Sequence, residues 1–181
     1  AGTRRGRLRA TLPADVPVVR YTEGEVCEHA LRQYDAVVYS LGDSLTFHKD
    51  VLTMARRVPG TIVLHDFVVH HLVVAWYFQA PAGIPGYLDA LAHWYGDDVK
   101  QRAAQAFEQI DGAWRIRGNA FHLWETDLVL SYPLFEDTLL KATGVVVHSD
   151  FLRERVAAVA QVPVLHLPLP MVRRGPRPHD A

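Results

Sequence analysis

The sequence predicts an α/β fold: a three-layer, Rossmann-like domain with a mostly parallel sheet and a helical insertion. Two observations lead to this prediction. Short apolar runs rich in β-branched residues each end at a small or polar cluster, and a stretch with helical periodicity follows each of them. This alternation recurs along the chain, and it is typical of parallel strands that are covered by the helices connecting them.

The first complete unit shows the pattern most clearly. Residues 35–40 are read as the strand and residues 41–44 as the turn, after which apolar side chains recur at helical spacing. Ser44 is placed to cap the N-terminus of that helix. Arg56 lies in the last turn, where a positive charge suits the helix dipole, and the Pro-Gly pair at residues 59–60 ends the helix.

The other elements follow from the same reasoning. Further strands are predicted at residues 16–19, 61–64, 144–147 and 162–167, and further helices at residues 25–32, 67–78, 133–141 and 152–159. Residues 81–128 are predicted to form an aromatic-rich, mostly helical insertion, with a loop at 81–86 and one or two helices between 87 and 110. The domain is therefore expected to span residues 1–170, and the proline- and arginine-rich residues 171–181 to form a linker or tail.

The net charge, the cysteine count and the length of the apolar runs argue against several classes of protein. The 181 residues carry a net charge of -1, from 19 lysines and arginines against 20 aspartates and glutamates, which argues against a dedicated nucleic-acid binder. Cys27 is the only cysteine, so the chain forms no internal disulfide and no multi-cysteine metal site, and it suits a reducing compartment. No strongly apolar run reaches the roughly 20 residues of a spanning helix. We therefore expect no transmembrane segment and a cytoplasmic location.

Several common cofactor and nucleophile motifs are missing from the sequence. It contains no G-x-G-x-x-G, no G-x-x-x-x-G-K-[ST] and no G-x-S-x-G. Neither a dinucleotide-binding fold of the usual kind nor a P-loop NTPase is therefore supported, and no cofactor is predicted. The sequence does not begin with methionine, and we expect it to be a processed or excerpted chain.

Three predicted strand ends carry polar residues: Gly-Asp-Ser at 42–44, His-Asp at 65–66 and His-Ser at 148–149. In open parallel sheets, ligands bind in the crevice outside the carboxyl ends of the strands, where helix N-termini also converge. The coincidence of three such ends favours a ligand crevice. The alternative is that the same residues only cap helices and form turns.

Histidines raise two further possibilities at these ends. His65 at a strand end could orient a hydroxyl or stabilise charge on a substrate oxygen, or it could simply bond a backbone carbonyl. Together with Asp66, His70 and His71 it could also suggest a metal site. That spacing matches no standard zinc motif, so no metal is predicted.

Aromatic residues in and near the insertion have two interpretations. They could form a stacking wall for a sugar or an apolar acceptor, or they could build the core, which is the commoner use of such residues. The set comprises Trp76, Trp94, Trp114, Trp124, Tyr87, Tyr95 and Phe121.

Three segments, taken in order, resemble a known family. They are YDAVVYSLGDSLTFHKDVL at residues 34–52, PGTIVLHDFVVHHL at 59–72 and YPLFEDTLLKATGVVVHSDFLRERV at 132–156. Together they resemble the amino-terminal domain of family 4, retaining GT-B glycosyltransferases. The resemblance covers about residues 34–72 and 132–170, while the insertion matches only in its helical, aromatic character.

This resemblance implies two facing Rossmann-like domains, with the acceptor bound largely by the first and a nucleotide-sugar donor largely by the second. It implies that His65 contacts the transferred sugar or the acceptor near the reacting centre. Residues 41–43 are similar to the family's Leu-Gly-Asn turn, with Asp43 in place of asparagine, and residues 148–149 are similar to a strand-end pair. The family's opening strand and glycine-rich loop have no counterpart before Val16, and the donor-binding domain is absent, so the chain is expected to be inactive alone.

The sequence thus predicts part of a glycosyltransferase that moves a sugar from a nucleotide-sugar donor to a hydroxyl of a carbohydrate or other acceptor, with no nucleic-acid partner. The alternatives are a non-catalytic module that binds carbohydrate or protein, and a metal hydrolase. The candidate catalytic residues are His65 and Asp66. The candidate substrate-binding residues are Gly42, Asp43, Ser44, His48, His70, His148 and Ser149.

Overall fold

A computed structural model of the chain describes residues 28–118 and 120–169. The strands are Val38–Leu41 (β1), Gly60–Leu64 (β2), Phe107–Ile110 (β3), Ala113–Ile116 (β4), Ala142–Val147 (β5) and Val164–His166 (β6). The α-helices are Glu28–Leu31 (α1), Leu45–Ala55 (α2), His70–Gln79 (α3), Gly83–Tyr95 (α4), Asp97–Ala104 (α5), Phe135–Thr138 (α6) and Asp150–Ala157 (α7), and short 3-10 helices lie at Leu123–Glu125 and Asp127–Leu130. Among the described helices, none is both long enough and apolar enough to span a membrane.

Some sequence predictions fall outside the described residues. They are the strand at 16–19, the first residues of the helix at 25–32, Cys27 and the linker at 171–181. The predicted strands at 35–40, 61–64, 144–147 and 162–167 all lie within the described ranges, and each overlaps an observed strand, with ends that differ by at most three residues. Four of the predicted strands are therefore confirmed.

The central sheet is parallel. Within the described part of the chain, its strands pair in the order β1-β2-β5-β6, and β3 and β4 form a separate antiparallel pair. Each connection steps in the same direction along the sheet, and because such crossovers are right-handed, their helices fall on one face. The α/β class and the Rossmann-like arrangement of a parallel sheet flanked by helices are thus confirmed.

One face of this sheet forms the core. Its buried side chains make two rows across the central strands: Tyr39, Ile62 and Val145, and Leu41, Leu64 and Val147. The opposite face is more open, since Val38 is 62% and Leu165 is 58% exposed, and Val63 is half-buried.

Glycine is required where β2 begins. A Cβ atom at Gly60 would lie 2.6 Å from the carbonyl oxygen of Val37 and 2.7 Å from the ring of Tyr39, distances that real side chains do not adopt. The absence of a side chain lets β2 approach β1 at this point, and the Tyr39 hydroxyl then donates to the carbonyl oxygen of Val58 at 2.9 Å. The glycine of the Pro-Gly pair that follows α2 therefore sets the start of the next strand.

The insertion differs from its prediction at two places. The predicted loop at 81–86 is only partly a loop, because α4 begins at Gly83. Pro85 is tolerated in the first turn of α4, because proline lacks a backbone N–H and donors in this turn have no helical partner. The predicted helical stretch 87–110 is wrong at its end, because α5 stops at Ala104 and the chain enters the β3–β4 hairpin. The turn of this hairpin is Asp111-Gly112, and both residues have positive φ, at 52° and 76°.

A predicted helix at residues 133–141 is wrong in extent. The structure contains only the single turn α6, which follows Leu134 in the left-handed conformation at φ 58°. Glu136 and Asp137 lie in this turn, and both are buried. Asp137 pairs with Arg56, and Glu136 accepts a hydrogen bond of 2.6 Å from the Tyr95 hydroxyl.

Candidate functional site

Chemically active side chains gather at the carboxyl edge of the parallel sheet. His65 follows β2, His148 follows β5, and His166 is the last residue of β6. Because the strands are parallel and in register, Leu64 lies beside Val147, so the next residues, His65 and His148, also lie side by side. Their rings stack with centroids 5.1 Å apart.

Ser40 in β1 completes this group. Its hydroxyl lies 2.6 Å from Nε2 of His65, and Nδ1 of His65 lies 3.2 Å from Nε2 of His148. Nδ1 of His148 in turn lies 2.8 Å from the carbonyl oxygen of Leu167. We call Ser40, His65 and His148 the serine–histidine row. Ser40 and His65 are exposed and His148 is half-buried, so the row is open to solvent at one end.

The chemistry of the partners fixes the direction of these hydrogen bonds. The Leu167 carbonyl can only accept, so Nδ1 of His148 donates to it. A neutral His148 then presents an unprotonated Nε2, which accepts from Nδ1–H of His65. Nε2 of His65 is left as an acceptor, and the Ser40 hydroxyl donates to it. The row therefore holds His65 in one tautomer, with its basic nitrogen facing a hydroxyl.

His65 is held in its neutral form. Although His65 is open to solvent on one side, desolvation by the groups packed around it lowers its pKa below the ordinary value of 6.5. The neighbouring imidazoles of His148 and His48 lower this pKa further, while the Asp66 carboxylate opposes the shift. Near neutral pH the imidazole is therefore unprotonated and can accept a proton or a hydrogen bond at Nε2.

Next to the row lies the turn that follows β1. A side chain at position 42 would displace the Asp66 carboxylate, because a Cβ atom there would lie 2.8 Å from Oδ2 of Asp66 and 3.3 Å from Nε2 of His48. The amide of Asp43 donates to Oδ2 of Asp66 at 2.8 Å, and Nδ1 of His48 donates to the Ser40 carbonyl at 3.1 Å. These contacts bring the candidate residues Gly42, Asp43, His48 and Asp66 to one place.

The carboxylate of Asp43 links the turn after β1 to helix α3. Its Oδ1 accepts from the amide of Leu72 at 2.8 Å, and its Oδ2 accepts from Nδ1 of His71 at 2.6 Å. The Leu72 amide belongs to the first turn of α3, where backbone donors lack helical partners. Asp43 thus satisfies the N-terminus of α3 from another element and ties the β1 turn to that helix.

The two serines at the predicted strand ends behave differently. Ser149 accepts from the amide of Leu152 at 3.2 Å and therefore caps α7. Ser44 precedes α2 in extended backbone geometry, but its side chain makes no capping hydrogen bond, so the predicted side-chain cap at this position is wrong.

His70 does not join the site. Its ring is completely buried, with Nδ1 donating to the Tyr132 carbonyl at 2.6 Å and Nε2 accepting from the Tyr87 hydroxyl at 2.8 Å. Both ring nitrogens are therefore used within the core, and this placement does not support the predicted role of His70 in binding substrate. The four residues of the suggested metal cluster also do not converge, because His70 points into the core while His71 bonds Asp43.

We expect His70 to make the fold sensitive to acid. Burial lowers the pKa of His70 from 6.5 to about 4, so the unfolded chain binds this proton more readily than the folded one. Its contribution to stability is therefore complete above about pH 6.5 and is lost as the pH falls towards about 4. The free energy of unfolding should fall by about 2 kcal/mol between about pH 7.5 and about pH 5 from this group alone.

Urea unfolding at several pH values measures this effect. His70→Gln should reduce the loss of stability between the two pH values, whereas His93→Gln, at an exposed site in α4, should leave it unchanged. An equally steep loss in wild type and His70→Gln would contradict the assignment.

No group of three or more histidine, cysteine, aspartate or glutamate side chains is arranged to hold a metal ion anywhere in residues 28–118 and 120–169. The aromatic residues of the insertion largely build the core, as the commoner interpretation predicts. Tyr87 is completely buried, and Phe78, Phe107 and Trp124 surround it with ring centroids about 6 Å away. Trp114 is the exception, because it lies 40% exposed on the hairpin.

Sequence reasoning missed Ser40 and His166 as members of this edge. Ser40 lies inside a predicted strand, and its contact with His65 depends on the pairing of β1 with β2. Alternation along the strand was the available signal, because it places Ser40 on the face opposite Tyr39 and Leu41. His166 lies 3.0 Å from Oδ1 of Asp150, at the start of α7.

Comparison of the chain with protein-family models, with curated proteins and with solved structures found no match. A function for this chain is therefore inferred from the geometry of the serine–histidine row and from the sequence resemblance described above.

Proposed function

We propose that this chain is the acceptor-side half of a glycosyltransferase that uses a nucleotide-sugar donor. One observation carries the proposal: the serine–histidine row lies at the carboxyl edge of a parallel sheet, where open α/β folds bind ligands. Nε2 of His65 already holds a hydroxyl at 2.6 Å, and a sugar or acceptor hydroxyl can make the same contact. The position of His65 is also the one at which the resemblance implies contact with sugar.

In this proposal the domain positions an acceptor and contributes no covalent nucleophile to sugar transfer. The neutral imidazole of His65 bonds a hydroxyl close to the anomeric carbon, and His148 keeps Nδ1–H of His65 directed away from that hydroxyl. Asp66 lies beside His65 and supports any positive charge that develops on it. A second domain binds the nucleotide sugar and stabilises the departing phosphate.

Binding of hydroxyl ligands tests the proposal on the chain itself. Imidazole signals of ¹⁵N-labelled protein are followed by NMR during titration with a panel of mono- and oligosaccharides. We expect saturable shifts of the His65 and His148 signals with at least one carbohydrate, and loss of this binding in His65→Ala. His122→Ala, in the insertion, is the matched control and should bind as wild type does. Saturable binding that His65→Ala leaves intact would place the carbohydrate elsewhere.

We expect the 181-residue chain alone to transfer no sugar. The two reactants would not be held together without the donor-binding domain, and correct positioning contributes about 7 to 11 kcal/mol to such reactions. Radiolabelled nucleotide sugars, incubated with the chain and with hydroxyl acceptors, provide the assay. Turnover above the protein-free background would contradict the two-domain interpretation.

A further inference from the structure

The serine–histidine row contains more than sugar binding requires. A hydroxyl, a neutral imidazole and a group that orients this imidazole are joined in sequence by contacts of 2.6 Å and 3.2 Å. This is the arrangement by which proteins activate serine for covalent catalysis: a nucleophile within reach of a base, and a third group that holds the base. It recurs on unrelated folds and is recognised by geometry and not by sequence position.

We propose that Ser40 is a nucleophile activated by His65, which forms covalent esters with acyl and phosphonyl electrophiles, and that His148 is the positioning residue of His65. This activity goes beyond the proposed sugar transfer, in which Ser40 only occupies the site of a hydroxyl.

Proton directions support this assignment. The Leu167 carbonyl oxygen can only accept a hydrogen bond, so each donor in the row points along the row towards Leu167. The hydroxyl proton of Ser40 therefore points at the unprotonated Nε2 of His65. When His65 takes this proton, its Nδ1–H bond to His148 persists, so the resulting imidazolium keeps its orienting partner. The lowered pKa of His65 leaves the base unprotonated at neutral pH.

Access also favours reactivity. Ser40 lies on the open face of the sheet, and both Ser40 and His65 are exposed. The hydroxyl oxygen of Ser149, by contrast, accepts a hydrogen bond from the amide of Leu152. An electrophile can therefore reach Ser40 from solvent without displacing the core.

With an ester as substrate, the reaction has two stages, acylation of Ser40 and hydrolysis of the acylated serine. The Ser40 oxygen bonds the carbonyl carbon while its proton passes to Nε2 of His65. The tetrahedral adduct collapses, the bond to the alkoxy group breaks, and His65 returns the proton to the departing alcohol, leaving acylated Ser40. Water then attacks the acyl carbon by the same route, releases a carboxylic acid and restores the serine hydroxyl. Water is the only co-reactant.

A fluorophosphonate reagent tests the proposal on the 181-residue chain. Its fluoride leaves without protonation, and the phosphonyl group remains bonded to the serine oxygen. We expect one adduct per chain, mapped to Ser40 by peptide mass spectrometry, and none at this position in Ser40→Ala. His65→Gln should slow labelling by about 100-fold or more, because a glutamine amide accepts a hydrogen bond but does not take the proton.

Further variants separate activation from general damage. His148→Ala should slow labelling, and His148→Gln should restore part of the rate, because glutamine carries both an acceptor for His65 and a donor for the Leu167 carbonyl. Ser131→Ala and His93→Gln, at exposed sites outside the row, should react like wild type.

Two results would overturn the proposal. One is wild-type protein that gains no adduct at Ser40, and another is a labelling rate that His65→Gln leaves unchanged. Because the adduct is mapped on wild-type protein, the test remains decisive even where a variant folds poorly. Failure here would leave carbohydrate binding at His65 untouched, since the NMR titration measures that property separately.

Discussion

In a transferase that pairs this chain with its donor-binding domain, His65→Ala should lower kcat by about 100-fold or more. The loss corresponds to one transition-state hydrogen bond of about 2.7 to 4 kcal/mol, the magnitude typical of a preorganised donor or acceptor at a reacting centre. Folding should be little affected, because His65 is exposed and its ring contacts only other exposed or half-buried groups.

The comparison with His122→Ala makes this result specific. His122 also has two polar partners, the Arg117 carbonyl at 2.8 Å and Glu125 at 3.0 Å, but it lies in the insertion. Its substitution should change kcat far less. Steady-state kinetics of both variants, with circular dichroism to verify folding, provide the measurement. Small and equal effects on kcat would remove His65 from the site.

Asp137→Ala should lower the free energy of unfolding by about 3 to 5 kcal/mol, because it leaves the largely buried guanidinium of Arg56 without its counter-ion. The guanidinium is enclosed by aromatic rings, with its carbon 4.1 Å from the ring centroid of Trp76 and 5.2 Å from that of Tyr77. Burial raises the pKa of the Asp137 carboxyl, and the charge of Arg56 opposes this shift. Each charge of the pair is therefore tolerated in the core only because the other is present.

Urea unfolding monitored by tryptophan fluorescence measures the change. The double variant Arg56→Met with Asp137→Leu should recover most of the lost stability, since it removes both charges and keeps apolar volume. Asp98→Ala, at an exposed site in α5, is the matched control and should stay within about 0.5 kcal/mol of wild type. If Asp137→Ala is as stable as Asp98→Ala, the pair does not stabilise the core.

The hairpin in the insertion shows how a local signal can be overlooked. Residues 111–112 are Asp-Gly between two short runs with β-forming residues, which is a strong signal for a two-residue hairpin turn. The helical pattern that precedes these residues predicts helix through residue 110, which the turn signal contradicts. Helical periodicity ends with α5, and the turn residues, not the apolar pattern, mark the change.

The ion-pair partner of Arg56 is not predictable from residues near Arg56 in the sequence. Its place in the last turn of a helix predicts an interaction with the helix dipole, and that reasoning uses neighbours along the chain alone. Its partner Asp137 lies 81 residues away, on a turn whose burial no local pattern reveals. Glu136, on the same turn, is buried as well, and its carboxylate accepts a hydrogen bond from Tyr95, 41 residues away.

The sequence by itself determined the α/β class, four strands of the parallel sheet and the gathering of polar residues at the strand ends. These are local properties, since apolar periodicity and turn residues reflect the backbone geometry of a few consecutive positions. Tertiary structure alone decided that Ser40, His65 and His148 form one hydrogen-bonded row and that His70 lies in the core. Strand register and helix packing set these outcomes, and they arise from contacts between residues 25 to 83 positions apart, which no local pattern encodes.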